Sequence, residues 1–97
     1  MRAVLIRSGG LGGLTRTWRA EPPGLSPDGE ARLREASDAA VFSALPAVLE
    51  QDPAPDGFHY VLTLEDGQDS RSVRFDDASA GEELLPLVEL VQDLSEG

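Results

Sequence analysis

From Phe58 to Glu65 apolar and polar side chains alternate: Phe58, Tyr60, Leu62 and Leu64 fall on one side, and His59, Thr63 and Glu65 on the other. A period of two is that of an extended strand with one buried face, whereas a helix would scatter these residues around its circumference. The run meets Glu65-Asp66-Gly67-Gln68-Asp69 and then a second alternating stretch, in which Val73 and Phe75 oppose Ser72 and Arg74. An Asp-Gly step between two such runs predicts a tight hairpin, so strands at about 58–65 and 70–76 pair antiparallel.

The first twenty residues repeat the arrangement. Strands are predicted at about 2–8 and 14–20, joined through Ser8-Gly9-Gly10-Leu11-Gly12-Gly13-Leu14, with Leu14, Trp18 and Ala20 facing inward. Arg16 shares that inward parity. A bulge beside the glycines that shifts the register is the expected explanation, and the alternative is a place at the sheet's end from which the guanidinium reaches water.

Glu21-Pro22-Pro23-Gly24-Leu25 breaks the second strand, after which Ser26 can cap a helix with Pro27 at its first position and Asp28 and Glu30 in its first turn. Leu33, Ala36, Ala39 and Ala40 recur at helical spacing, which predicts a helix over about 27–41; Phe42-Ser43-Ala44-Leu45 reads as a short extra turn stopped by Pro46. Residues 46–57, with Pro46, Pro53, Pro55 and Gly57, read as a long acidic loop. Leu84, Leu87, Val88, Val91 and Leu94 then form the apolar stripe of a helix over about 82–95, with Pro86 requiring regular helix to begin between Glu82 and Pro86.

The expectation is therefore one α+β domain over residues 1–97, in ββαββα order, with a four-stranded antiparallel sheet and two helices packed on one face. The opposite face is expected to carry Thr, Ser, Arg and His.

Net charge bounds the partners. The chain carries −10, distributed as +3 over residues 1–34 and −13 over residues 35–97, which disfavours nucleic acid and anionic membrane. Surface solubility accounts for the imbalance, and steering toward a positively charged cleft is the alternative. No segment approaches the ~20 apolar residues of a membrane span. The start has only four apolar residues before Arg7, too few for a secretory signal, and cysteine is absent. A cytoplasmic monomer is expected.

Catalytic chemistry has few candidates. His59 is the only histidine, and the chain has no Cys, no His-Glu-x-x-His and no Gly-x-Ser-x-Gly, so ordinary triads and catalytic zinc sites are not expected. The acid pairs Glu65-Asp66, Asp76-Asp77 and Glu82-Glu83 lack the ligand spacing of an EF-hand and read as solvated turns and helix starts. No cofactor or metal is implied.

What remains is the glycine cluster, four of the chain's ten glycines in five positions around Leu11. It lacks the Gly-Lys-Ser/Thr of a P-loop, and Thr15 stands where a dinucleotide fingerprint needs its third glycine. A backbone anion nest stays open. Either the glycines permit a bulged hairpin with Leu11 folded over the sheet's edge, or Leu11 is an anchor on a narrow loop for a partner's apolar pocket. The candidate partner-binding residues are Ser8, Gly9, Gly10, Leu11, Gly12 and Gly13.

The run from Arg7 to Leu14, the strand ending in Trp18-Arg19, the helix end Phe42-Ser43-Ala44-Leu45-Pro46, and Phe58-His59-Tyr60 through Arg71-Ser72-Val73-Arg74-Phe75 together resemble the emfourin family over nearly the whole chain. The most distinctive element is Ser-Gly-Gly followed by an apolar residue, met by Ser8-Gly9-Gly10-Leu11. The resemblance implies a small cytoplasmic bacterial inhibitor of thermolysin-like, specifically protealysin-like, zinc metallopeptidases, often encoded beside its target. Such enzymes prefer a large apolar side chain just after the scissile bond, which Leu11 would imitate as part of a pseudo-substrate. The acidic 46–57 loop and the polar sheet face are alternative contacts, and a non-inhibitory regulatory module for a co-encoded partner is the competing function.

Overall fold

The computed structural model describes residues 1–9, 13–49 and 57–95. Strands β1 (Arg2–Gly9), β2 (Arg16–Ala20), β3 (Phe58–Asp66) and β4 (Asp69–Asp76) form one antiparallel sheet in the order β2-β1-β3-β4. Helix α1 (Pro27–Ala39) and a short 3₁₀ turn (Phe42–Ala44) lie between β2 and β3, and helix α2 (Asp77–Leu94) follows β4. The expected ββαββα order and four-stranded sheet are thus observed.

The register puts the apolar residues in rows. Trp18, Leu5, Leu62 and Val73 lie side by side across all four strands, and Ala20, Ala3 and Leu64 form the adjacent row. Helix α2 spans these strands with Leu84, Leu87, Val88 and Val91 turned onto them, while α1 packs against α2 and closes the core with Leu33. Leu5, Leu33, Leu62, Val73, Phe75, Leu87 and Val91 are fully buried. Each such side chain contributes about 1.5–3 kcal/mol relative to exposure, so this shared face holds the domain together.

Local signals place the turns. Ser26 caps α1 by accepting a hydrogen bond from the Gly29 amide at 3.0 Å, with Pro27 in the first turn. The β3–β4 turn is Gly67-Gln68, with φ +65° at Gly67, as a two-residue hairpin with glycine first requires. The 3₁₀ turn at Phe42–Ala44 lies where the extra turn was expected and buries Phe42.

Five expectations change. Strand β2 starts at Arg16 rather than 14, and Leu14 is 79% exposed instead of inward, because nothing on β1 pairs with it. There is no bulge in the described ladder: Arg7 pairs directly with Arg16, so Arg16 keeps its inward parity at the sheet's end, with its side chain exposed. Helix α1 ends at Ala39, not 41, because Val41 takes a left-handed conformation (φ +49°) that turns the chain into the 3₁₀ turn. Within the 46–57 connection, Arg74 donates its amide to the Ala47 carbonyl and accepts from the Leu49 amide, both at 2.7 Å, so this stretch lines the outer edge of β4 as a parallel bridge.

The fifth concerns α2. Its first turn begins at Asp77, and Gly81 (φ 67°, ψ −178°) interrupts it, so regular helix starts just after Gly81, within the range Pro86 demands. Asp76 and Ser79 form a capping box over the first turn: the Ser79 amide donates to Asp76 Oδ1 at 2.8 Å, and the Asp76 amide donates to Ser79 Oγ at 2.9 Å.

The open face of the sheet carries Thr, Ser, Arg and His as expected, together with Val4, Ile6 and Val61. Among the described residues no helix is long and apolar enough to cross a membrane.

Candidate functional site

Antiparallel pairing of β1 with β3 brings the two loops singled out by sequence to one end of the sheet. Gly9, where the glycine-rich connection begins, lies opposite Phe58, where the 46–57 connection ends. The contact at this junction is backbone on backbone. A Cβ on Gly9 would stand 2.6 Å from the Gly57 carbonyl oxygen and 3.2 Å from the His59 ring, and Gly9 has φ +99°. Glycine is therefore required twice over, for the conformation and for the close approach. Gly13 has φ +64° with open space around its Cβ position, so there the requirement is conformational alone. Of the candidate contact residues, Ser8, Gly9 and Gly13 are described; Gly10, Leu11 and Gly12 lie outside the described residues.

Beneath the hairpin, on the helix side of the sheet, arginines and aromatic rings interleave. The Arg7 guanidinium carbon lies 5.1 Å from the centre of the Trp18 ring system and 4.6 Å from that of Phe58, and the Arg16 guanidinium carbon lies 4.8 Å from Trp18. Trp18 is buried, so it serves as a fixed platform for both cations. Next along the same row, Tyr60 stacks on Phe75 with ring centres 5.3 Å apart. Phe58, expected inward, is 36% exposed because it stands at the sheet's end. The arginine and aromatic stack was missed from sequence, although Arg7 shares the parity of Ala3 and Leu5 and was the signal for it.

On the opposite face Ser8, His59 and Asp76 fall in one row across β1, β3 and β4. These are the residue types of a nucleophilic triad, brought closer than the sequence suggested. The Asp76 carboxylate is committed to capping α2: hydrogen bonds from the Ser79 hydroxyl and amide, and the nearby His59, hold it below the usual carboxylate range. The row therefore ends in the carboxylate that caps the start of α2. Among the described residues no three His, Asp or Glu side chains gather as a metal site.

A cleft of about 460 Å³ lies at the other end of the sheet, by the β3–β4 turn, among Val41, Phe42, Leu64, Asp66 and Arg71. Two of its charged side chains are engaged: Arg34 donates to both oxygens of Asp66 at 2.5 and 2.8 Å, and Arg71 donates to the Leu45 carbonyl. The glycine-rich end instead carries the close approach of Gly9 to Gly57, the stacked guanidiniums of Arg7 and Arg16 and the part-exposed Phe58 ring.

No curated protein and no solved structure matches this chain. The family model described as Emfourin matches residues 5–92, from within β1 to the last turn of α2. With β2, β3, β4, α1, most of β1 and α2 and the whole glycine-rich connection inside the match, the chain belongs to the Emfourin family.

Proposed function

We propose that this protein inhibits thermolysin-like zinc metallopeptidases, protealysin-like enzymes first among them, by seating its glycine-rich hairpin in the active-site cleft. The observation that carries the reading is the family match over residues 5–92, since membership implies a metallopeptidase-inhibitor-type domain. Inhibition of this kind is a binding function, in which the target supplies the zinc and the inhibitor supplies shape.

The backbone geometry supports the choice of surface. Gly9 and Gly57 bring the bases of the two connections together backbone to backbone. A strand end that carries glycine rather than a side chain can follow a cleft built to hold an extended peptide. In this reading Leu11 enters the apolar pocket that otherwise takes the substrate side chain following the scissile bond, and the neighbouring backbone lies along the cleft as a pseudo-substrate. The protein acts in the cytoplasm as a monomer.

The test is a titration of purified protein against several thermolysin-like peptidases, following residual activity. Activity should fall in proportion to added protein and vanish near equimolar concentration; no inhibition of any of them overturns the proposal. Leu11→Ala should weaken inhibition about 10- to 100-fold, as loss of an interface anchor does, and Leu11→Asp should weaken it further. If both variants stay folded and inhibit like the parent, Leu11 is not the anchor.

A further inference from the structure

Arg7 and Arg16 stand directly opposite each other in the β1–β2 ladder. Like charges in facing positions of an antiparallel pair are destabilising, and an apolar residue at either position would cover Trp18 without that repulsion. In a chain of net charge −10, neither makes an ion pair with an acid among the described residues. Arg2 and Arg34, by contrast, each engage two carboxylates, Glu21 with Glu65 and Glu30 with Asp66.

Ring faces hold these two cations instead. Arg7 lies against both Trp18 and Phe58, and Arg16 against Trp18. A guanidinium stacked on an aromatic face loses its freedom to wander but keeps its in-plane N–H donors available at the edge, in the fork that matches a carboxylate. Two such forks side by side at the root of the hairpin form a pre-ordered cationic surface, with little side-chain entropy left to lose on docking.

We infer that Arg7 and Arg16 form a carboxylate-binding pair that grips acidic side chains on the rim of the target's cleft once the hairpin is seated. The inference rests on the inhibitor reading and adds to it the chemistry of the partner. A target of this protein carries Asp or Glu beside the entrance to its cleft, and the arginine pair selects for them. The contact offsets repulsion that the two facing arginines otherwise exert on each other.

The test measures the inhibition constant and the association rate at low and at high salt for the parent, Arg7→Gln, Arg16→Gln, the double variant, Arg7→Lys and Arg16→Met. Arg16→Met keeps an apolar stem over Trp18 while removing the charge. Each single Gln or Met change should raise the inhibition constant about 5- to 10-fold at low salt, mostly through slower association, and the difference should shrink at high salt. Arg7→Lys, which keeps the charge and loses the fork, should fall between parent and Arg7→Gln. The thermal midpoint of Arg16→Met should stay at the parent's, because the stem kept over Trp18 and the relief of the facing like charges offset the lost cation contact.

Variants that inhibit like the parent at both salt concentrations overturn the inference and leave the inhibitor reading standing. So does a loss that is equal at all salt concentrations and comes with a lowered thermal midpoint, which would make the stack a structural brace. If the parent itself inhibits no thermolysin-like peptidase, the inhibitor reading fails and this inference falls with it.

Discussion

Replacing Gly9 by alanine separates the demands placed on the loop junction. At φ +99° an L residue loses about 1–2 kcal/mol against a relaxed backbone. The new Cβ would also lie 2.6 Å from the Gly57 carbonyl oxygen, a backbone atom that no rotamer change can move. Either the end of β1 or residue 57 must shift, loosening the Gly9–Phe58 end of the ladder at about 0.5–1.5 kcal/mol for each hydrogen bond weakened. Alanine stiffens the unfolded chain and returns about 0.4–1 kcal/mol, so the net loss is about 1–3 kcal/mol. Gly67 provides the matched control at the far turn, with φ +65° and open space around its Cβ position, so Gly67→Ala should lose only about 1 kcal/mol. For a domain of this size each kcal/mol lowers the midpoint by roughly 4–8 °C. Thermal melts followed by the fluorescence of Trp18, the only tryptophan, would rank the two variants. Inhibition assays below both midpoints should show a weakening of about tenfold or more for Gly9→Ala and none for Gly67→Ala, since only the first displaces the proposed contact surface. The reasoning is refuted if Gly9→Ala melts with Gly67→Ala and inhibits like the parent.

Two further outcomes follow from the start of α2 and from the charged groups. Gly81 sits at φ 67°, ψ −178°, a region that is essentially glycine's alone, so Gly81→Ala should destabilise by about 1–3 kcal/mol in denaturant unfolding, and an unchanged midpoint would refute the interruption seen there. Asp66, through Arg34, and Asp76, through Ser79, are held below their ordinary value of 3.8 in the folded state. Depressed carboxylates contribute stability that is present above the unfolded value and lost as pH falls through the folded one, so stability should decline below about pH 4. Asp66→Asn and Asp76→Asn should each flatten that decline in acid-unfolding curves; parallel curves for variants and parent would refute the assignment.

Much of the fold was legible because its signals are local. Alternation over 58–65 shows which face is buried, Ser26-Pro27 starts a helix through a cap three residues wide, and Gly67 meets the need of a two-residue turn. The glycine-rich connection was legible as unusual for the same reason, since glycine density registers a backbone demand directly. Misplaced features were those in which a distant neighbour decides. Leu14 reads as a strand residue until β1 offers it no partner, and residues 47–49 read as loop until β4 supplies an edge. Pro86 alone placed the start of α2 in the sequence, because the capping box that extends the helix back to Asp77 depends on Asp76 ending a strand and Ser79 reaching back to it.

The sequence by itself determined the period of each element, its buried side and the kinship of the chain, because these depend on residues within a few positions of one another or on their order along the chain. Only the tertiary structure decided that β1 stands between β2 and β3. That choice sets Gly9 against Phe58, joins the two loop bases, and faces Arg7 with Arg16 over Trp18. The physical reason is that hydropathy records whether a face is covered but not by which strand, and the register that brings charges and backbones together is selected by packing across the whole sheet.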